Sequence, residues 1–149
     1  MELLTDDAAG LRRAAHLLVR GGVVAFPTDT VYGLAALATD RTAVERVYRI
    51  KGRARDKPLV LMVLDASGLD EWAELSPAAA SLAARWWPGP LTLVLKARAA
   101  VAPWLVAGDP PLIGVRVPDH AGARGLLAEV EGALATTSAN ASGRRPALT

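Results

Sequence analysis

The chain has 149 residues, of which 52% are hydrophobic, and its formal net charge is +2 at pH 7. This length and composition predict one globular domain with a buried core and argue against a disordered chain. The absence of cysteine excludes disulfide bonds, thiolate metal sites and a cysteine nucleophile, and the two histidines, His16 and His120, give little support to a zinc hydrolase or a Ser-His-Asp enzyme.

Apolar residues recur at helical spacing or run together as strand segments along the chain. The first half predicts, in order, a helix over 6–20, a buried strand over 23–26, a second strand or packed loop over 31–37, a helix over 41–50 and a strand over 59–64. Asp40 is the expected N-cap of the helix over 41–50, and Gly52 is expected to end that helix.

The second half continues the alternation of helices and strands. It predicts a short helix over 67–73, a helix over 76–86, a strand over 91–96, an irregular segment over 98–111, a strand over 113–117, a helix over 118–130, a strand over 133–136 and a polar loop over 137–149. This alternation indicates an α/β or α+β single domain with a mixed sheet. No apolar stretch has the length of a membrane span and no signal pattern opens the chain, so we expect a cytoplasmic protein with no membrane partner.

The turn after the first predicted strand carries two hydroxyls and a carboxylate, from Thr28, Asp29 and Thr30. Polar side chains placed just beyond a strand commonly line a ligand pocket. A turn stabilised by capping residues explains the same residues equally well, so local chemistry leaves both interpretations open.

Positive charge is concentrated in one segment, 49–57, which has five basic residues and one acidic residue and therefore a local net charge of +4. Its basic members are Arg49, Lys51, Arg53, Arg55 and Lys57. Such a loop is suited to an anionic ligand such as a polyphosphate. The alternative is a solvated run of charges in which Lys51 complements the end of a helix dipole.

Two further features fit an anionic ligand. Arg116 lies within an apolar strand, where alternation places it on the same face as Gly114 and leaves room for a ligand to approach; a solvent-facing Arg116 is the alternative. The loop over 136–145 supplies hydroxyls, an amide and a glycine that can donate to phosphate or carboxylate oxygens, although it can also be a plain polar tail. It lacks the P-loop pattern.

Five blocks occur in an order that resembles the threonylcarbamoyl-AMP synthase family, the YrdC-like domain. They are Pro27-Thr28-Asp29-Thr30-Val31-Tyr32-Gly33-Leu34, Lys51-Gly52-Arg53 with Lys57-Pro58-Leu59, Trp87-Pro88-Gly89-Pro90-Leu91-Thr92, Val115-Arg116-Val117-Pro118-Asp119-His120 and Thr137-Ser138-Ala139-Asn140-Ala141-Ser142-Gly143. The resemblance runs from about residue 10 to the C-terminus. It implies a YrdC/RibB-like fold, a single domain over 1–149 whose twisted mixed sheet has flanking helices and a concave basic face.

The resemblance also implies an activity: synthesis of threonylcarbamoyl-AMP from L-threonine, bicarbonate or CO2 and ATP, with release of pyrophosphate, for tRNA modification. The partners it implies are ATP, L-threonine and bicarbonate, and beyond them tRNA or the downstream threonylcarbamoyl-transfer complex. Mg2+ is expected with ATP as part of the substrate, and no protein metal site is implied. The chemistry relies on positioning and charge neutralisation, so it requires no cysteine or histidine pair.

Carried over by position, the resemblance implies a role for each of several polar residues. Threonine binding falls to Thr30, Arg116 and Thr136. ATP binding falls to Lys51, Arg53, Lys57, Ser138, Asn140 and Ser142, with Lys51 and Arg53 as the catalytic cations. Asp29 is expected to orient its loop, without a role as general base.

The chain departs from the family pattern at two points. Ala54 stands where Pro often follows the Arg of the basic motif, and the sequence after Gly143 differs and ends where relatives usually continue, so the domain is expected to be short at its C-terminus. An RNA-binding module of the same fold is an alternative. Against it, RNA-binding faces usually interleave more aromatic residues with the charges, and this chain has only one Phe and two Tyr. A paralogue with another carbamoyl or acyl chemistry is a third possibility.

Overall fold

A mixed β-sheet organises residues 1–143 and 145, the part of the chain that the computed structural model describes. In chain order its six strands within that part are β1 (Val24–Phe26), β2 (Gly33–Leu37), β3 (Val60–Met62), β4 (Leu93–Lys96), β5 (Leu112–Arg116) and β6 (Leu134–Ser138). Their spatial order is β1-β2-β6-β3-β5-β4. Neighbouring strands are antiparallel except β3 and β5, which are parallel, so the expected mixed sheet is confirmed.

Four α-helices flank the sheet in the described residues: α1 (Ala8–Val19), α2 (Arg41–Lys51), α3 (Pro77–Trp86) and α4 (Ala121–Val130). The side chain of Asp40 accepts a hydrogen bond from a backbone N–H group in the first turn of α2, which confirms it as the N-cap, and Ser76 caps α3 in the same way. Gly52 ends α2 in the left-handed region, at φ 59°, where a residue without Cβ is favoured. None of the helices described has the length and apolar character of a bilayer span.

The two faces of the sheet pack against different helices because side chains alternate along each strand. On one face, Leu61, Ile113 and Val115 are buried in a core shared with α2 and α3. On the other face, α1 and α4 pack against each other and cover Met62 and Leu134. Continued along the same strands, this second face bears Arg116 of β5 and the polar side chains of Thr136 and Ser138 of β6.

Several predicted boundaries were wrong by a few residues. β6 continues to Ser138, two residues beyond the predicted end, because Thr137 and Ser138 pair with β2. The helix predicted over 118–130 begins at Ala121, since the side chain of His120 caps it by accepting from the N–H of Ala123. Long-range pairing and capping set these ends, and local propensity does not report them.

Other segments differ in character from the sequence expectation. The strand over 23–26 was predicted to be buried, but β1 is an edge strand that leaves Ala25 exposed. The segment over 67–73 forms one turn of 3-10 helix, Leu69–Glu71, and the irregular segment over 98–111 contains another, Pro103–Leu105. The polar loop expected over 137–149 begins after Ser138, and Arg144 and residues 146–149 lie outside the described residues.

Candidate functional site

A small cavity of about 100 Å³ opens on the sheet face that α1 and α4 leave uncovered. It is lined by Thr28, Thr30, Val31, Gly33, Val60, Met62, Thr92, Arg116, Thr136, Thr137 and Ser138. These residues come from four strands, β2, β3, β5 and β6, from the turn between β1 and β2 and, for Thr92, from the segment just before β4. The predicted site residues Thr30, Arg116, Thr136 and Ser138 therefore meet in one cavity although they lie far apart in sequence.

Among the described residues that line this cavity, Arg116 alone has a charged side chain. Nε donates to the Gly89 carbonyl oxygen at 3.0 Å, Nη1 to Thr30 Oγ1 at 3.0 Å and Nη2 to Asp29 Oδ1 at 2.6 Å. The Arg116 side chain is 9% exposed. Alternation along β5 places Arg116 opposite the buried Val115, so the interpretation of Arg116 as a cavity residue is preferred over a solvent-facing one.

Asp29 forms a largely buried ion pair with Arg116. Its side chain is 14% exposed, whereas the residue as a whole is exposed through its main chain. A buried guanidinium with no counter-charge is strongly destabilising, so the carboxylate of Asp29 compensates the burial of Arg116. Asp29 does not line the cavity itself.

The hydroxyl of Thr28 holds the turn that carries Asp29 and Thr30. It donates to the Val31 carbonyl oxygen at 2.6 Å and accepts from the backbone N–H groups of Thr30 and Val31 at 3.2 and 3.3 Å. The Thr28 and Thr30 hydroxyl oxygens are 3.1 Å apart. The turn is therefore fixed from within, as the capping interpretation expects, and Thr28 and Thr30 also line the cavity.

Thr136 is the most deeply buried polar residue of the cavity wall, at 2% exposure. Its hydroxyl donates to the Val60 carbonyl oxygen of the neighbouring strand β3 at 2.9 Å. Because a hydroxyl has a single proton, Thr136 presents only lone pairs to the cavity.

Lys51, at the end of α2, ties that helix to the segment that follows the cavity wall. Its Nζ donates to the Ser138 carbonyl oxygen, to Ser138 Oγ at 3.3 Å and to Asn140 Oδ1 at 3.4 Å. Its own carbonyl oxygen accepts from the Ser142 backbone N–H at 3.0 Å. The hydrogen bonds thus join four residues into one cluster, called here the Lys51 cluster: Lys51, Ser138, Asn140 and Ser142. The resemblance assigned all four to ATP.

Lys51 is only 5% exposed, which is unusual for a lysine. Burial lowers the pKa of Lys51 from its ordinary value of 10.5, and the nearby positive charge of Arg53 lowers this pKa further. Within the described residues, Lys51 Nζ donates to neutral oxygens of Ser138 and Asn140 and has no carboxylate partner. Because no acidic side chain of the Lys51 cluster neutralises Lys51, its positive charge is available to attract an anion.

The other basic residues of the segment after α2 are arranged differently. Arg53 Nε donates to the Lys57 carbonyl oxygen at 2.7 Å and Nη2 to the Pro58 carbonyl oxygen at 3.1 Å, so Arg53 braces its own loop. Arg55 lies over the ring of Tyr48, 4.6 Å from its centroid. Neither Arg53 nor Lys57 lines the cavity, and their assignment to ATP stays a prediction.

The sequence reasoning missed three contributions to this site. It gave Asp29 no ionic partner, gave Thr28 no particular role and did not bring Gly89 near Arg116. An arginine within an apolar strand indicated that a carboxylate should lie near it in the fold, since a buried arginine requires a counter-charge. The Thr-Asp-Thr turn offered such a carboxylate in Asp29. No local signal identified the Gly89 carbonyl oxygen, because that contact depends on how the segment after α3 folds back onto β5.

The described residues contain no group of three or more His, Asp or Glu side chains placed to hold a metal ion. A divalent cation that accompanies a nucleotide commonly keeps its waters and binds chiefly through the phosphates. An Mg2+ ion that arrives with a nucleotide therefore needs no cluster of protein carboxylates.

Comparison with known proteins connects this geometry to a family. A family model, Sua5_yciO_yrdC, described as "Telomere recombination", matches residues 16–149. The threonylcarbamoyl-AMP synthase of Pyrococcus abyssi is 43% identical over 135 residues, which are 90% of this chain and 39% of that protein. The threonylcarbamoyl-AMP synthase of Bacillus subtilis is 42% identical over 145 residues, covering 96% of this chain and 41% of that protein.

The fold gives the same result. The crystal structure of P. abyssi Sua5 complexed with L-threonine superposes with a TM-score of 0.88 at 40% identity, covering 95% of this chain and 42% of the other. The chain thus spans about two fifths of the length of these relatives. Since the family model covers all but the first 15 residues, this chain belongs to the Sua5/YciO/YrdC family.

Proposed function

We propose that this chain performs the threonylcarbamoyl-AMP synthase reaction, joining L-threonine, bicarbonate or CO2 and ATP with release of pyrophosphate. The observation that carries the proposal is the cavity in which Arg116, Thr30 and Thr136 meet from three distant segments. A relative with 40% identity and the same fold has been solved with L-threonine. The named synthases among the relatives support the same reaction.

In this proposal, Arg116 holds the carboxylate of threonine, since two of its N–H groups have no hydrogen-bond partner among the described residues. Thr30 and Thr136 complete the threonine side of the cavity. A cavity of about 100 Å³ suits an amino acid with a small polar side chain rather than one with a large side chain.

The Lys51 cluster adjoins the cavity through Ser138, and we assign it to ATP together with Arg53 and Lys57. The ammonium group of threonine first loses a proton, and the resulting amine attacks CO2 and releases a second proton to give a carbamate. A carbamate oxygen then attacks the α-phosphorus while the bond to the β,γ-diphosphate breaks and pyrophosphate leaves. Positive charge beside the phosphates stabilises the charge that develops in such a transfer. Lys51 and Arg53 are the proposed cations for this step, and Mg2+ enters with ATP.

The test is incubation of the chain with ATP, L-threonine, bicarbonate and Mg2+, followed by an assay for pyrophosphate. We expect release that requires threonine, with omission of threonine and replacement by L-valine as controls. Pyrophosphate release that is independent of threonine contradicts the proposal and favours a paralogue with another chemistry.

Separate calorimetric titrations with ATP, L-threonine and RNA address the remaining alternative. Threonine binding is expected for the synthase, whereas salt-sensitive RNA binding without threonine binding identifies an RNA-binding module. A concave basic face, delivery of the product to tRNA modification and a cytoplasmic location stay predictions that accompany the proposed reaction.

A further inference from the structure

The hydrogen-bond capacity of Arg116 is only partly used within the protein. A guanidinium has five N–H donors, one on Nε and two on each terminal nitrogen. The contacts with Gly89, Thr30 and Asp29 use one donor on each nitrogen. Two N–H groups, one on each terminal nitrogen, therefore have no protein partner among the described residues and can donate to carboxylate oxygens.

The hydroxyl of Thr30 has acceptor capacity left for a ligand. One of its two lone pairs accepts from Arg116 Nη1 at 3.0 Å. The neighbouring Thr28 hydroxyl uses its single proton on the Val31 carbonyl oxygen, so it does not donate to Thr30. The second lone pair of Thr30 can therefore accept from a donor such as an ammonium group.

The charge balance of the cavity points in the same direction. Arg116 is the sole charged side chain among the described lining residues, and Asp29 cancels its charge from behind. Lys51 donates to Ser138 Oγ but does not itself line the cavity. A ligand with only a carboxylate leaves this partly buried region with a net negative charge, whereas a zwitterion leaves it neutral.

We propose that Asp29 is a positioning residue that makes the cavity selective for zwitterionic α-amino acids. It holds the guanidinium of Arg116 so that two N–H groups receive the carboxylate, and it removes the positive charge that would otherwise attract any small anion. The ammonium group then lies at the lone pair of Thr30. The identity of the amino acid as threonine rests on the proposed function.

The test compares L-threonine with (R)-3-hydroxybutyrate, which has the same carbon skeleton, hydroxyl and carboxylate but no amino group. Calorimetric titration of the unchanged chain and of Asp29→Asn gives the ratio of the two affinities. We expect the unchanged chain to prefer threonine, and Asp29→Asn to reduce that preference at least about tenfold. Part of the reduction is a gain in affinity for the anion, which loss of structure cannot produce.

Asp7→Asn is the matched control, because Asp7 caps α1 away from the cavity and asparagine caps a helix equally well. It is expected to leave the ratio unchanged, and thermal unfolding verifies that both variants fold. An unchanged ratio in folded Asp29→Asn overturns the inference but leaves the proposed function standing. If the unchanged chain binds both compounds equally, the inference fails even where Asp29→Asn does not fold. If the unchanged chain binds neither compound, both the inference and the proposed function fail.

Discussion

Nη2 of Arg116 lies 2.6 Å from Oδ1 of Asp29, a contact between residues 87 positions apart in the chain. The two side chains are 9% and 14% exposed, so water screens their attraction far less than in a surface pair. This contact fixes the turn after β1 to the end of β5 and compensates the charge of the guanidinium at the cavity.

A double-mutant cycle measures the strength of this pair. Asp29→Ala and Arg116→Ala each leave a largely buried charge without its partner, so the two single losses of stability should sum to more than the loss in the double variant. We expect a coupling of about 1–3 kcal/mol, from urea unfolding of all four proteins. The exposed pair between Glu2 and Arg13 is the control and should couple more weakly. Additive losses for Asp29 and Arg116 would contradict the burial argument.

Arg116→Ala should abolish threonine binding and threonine-dependent pyrophosphate release while ATP still binds. Arg116→Lys is the matched variant, since it keeps a positive charge beside Asp29 but cannot reproduce the planar fork that contacts three groups. We expect the lysine variant to bind threonine at least about tenfold more weakly than the unchanged chain. Separate calorimetric titrations with the two ligands check this, and retained threonine affinity in Arg116→Ala would count against the assignment.

Lys51→Ala and Arg53→Ala should weaken ATP binding more than threonine binding. Lys51 is assigned to the phosphates and organises Ser138 and Asn140, while Arg53 braces the adjoining loop. Arg49→Ala removes the same charge from an exposed position near the end of α2 and is expected to change neither affinity. Equal loss of both ligands in the Lys51 or Arg53 variants would indicate a folding defect instead of a nucleotide site.

The buried Lys51 also predicts a dependence of stability on pH. Its folded-state pKa lies below 10.5, so between the lowered value and 10.5 the unfolded chain binds more protons at this position than the folded chain. The contribution of Lys51 to the free energy of unfolding therefore rises with pH in that window, because deprotonation removes the cost of burying the charge. Urea unfolding of the unchanged chain and of Lys51→Met at several alkaline pH values isolates the effect. A stability difference that does not move in favour of the unchanged chain as pH rises would contradict it.

The order of helices and strands could be predicted because each element satisfies a local rule. Asp40 caps α2, Gly52 ends it in the left-handed region, and alternation along β5 separates Val115 from Arg116. Such signals act within a few residues and are legible in a single sequence. The strand ends were less predictable, since β6 reaches Ser138 only because Gly33 on the neighbouring strand pairs with it.

The polar residues of the site were also recognisable from their types and from five ordered motifs, and four of them, Thr30, Arg116, Thr136 and Ser138, do share a cavity. The sequence did not say which groups neutralise or orient one another. Arg53 was expected at phosphates and here contacts carbonyl oxygens of its own loop.

The amino-acid sequence by itself determined the elements, the position of the positive charge and the residue types available for chemistry, because propensity, capping and alternation are short-range properties. Only the tertiary structure decided that Asp29 neutralises Arg116 and that Lys51 is held by oxygens of the segment after β6. Hydrogen bonds and ion pairs act over about 3–4 Å, and residues more than 80 positions apart reach that distance only after the sheet has brought β2, β5 and β6 together.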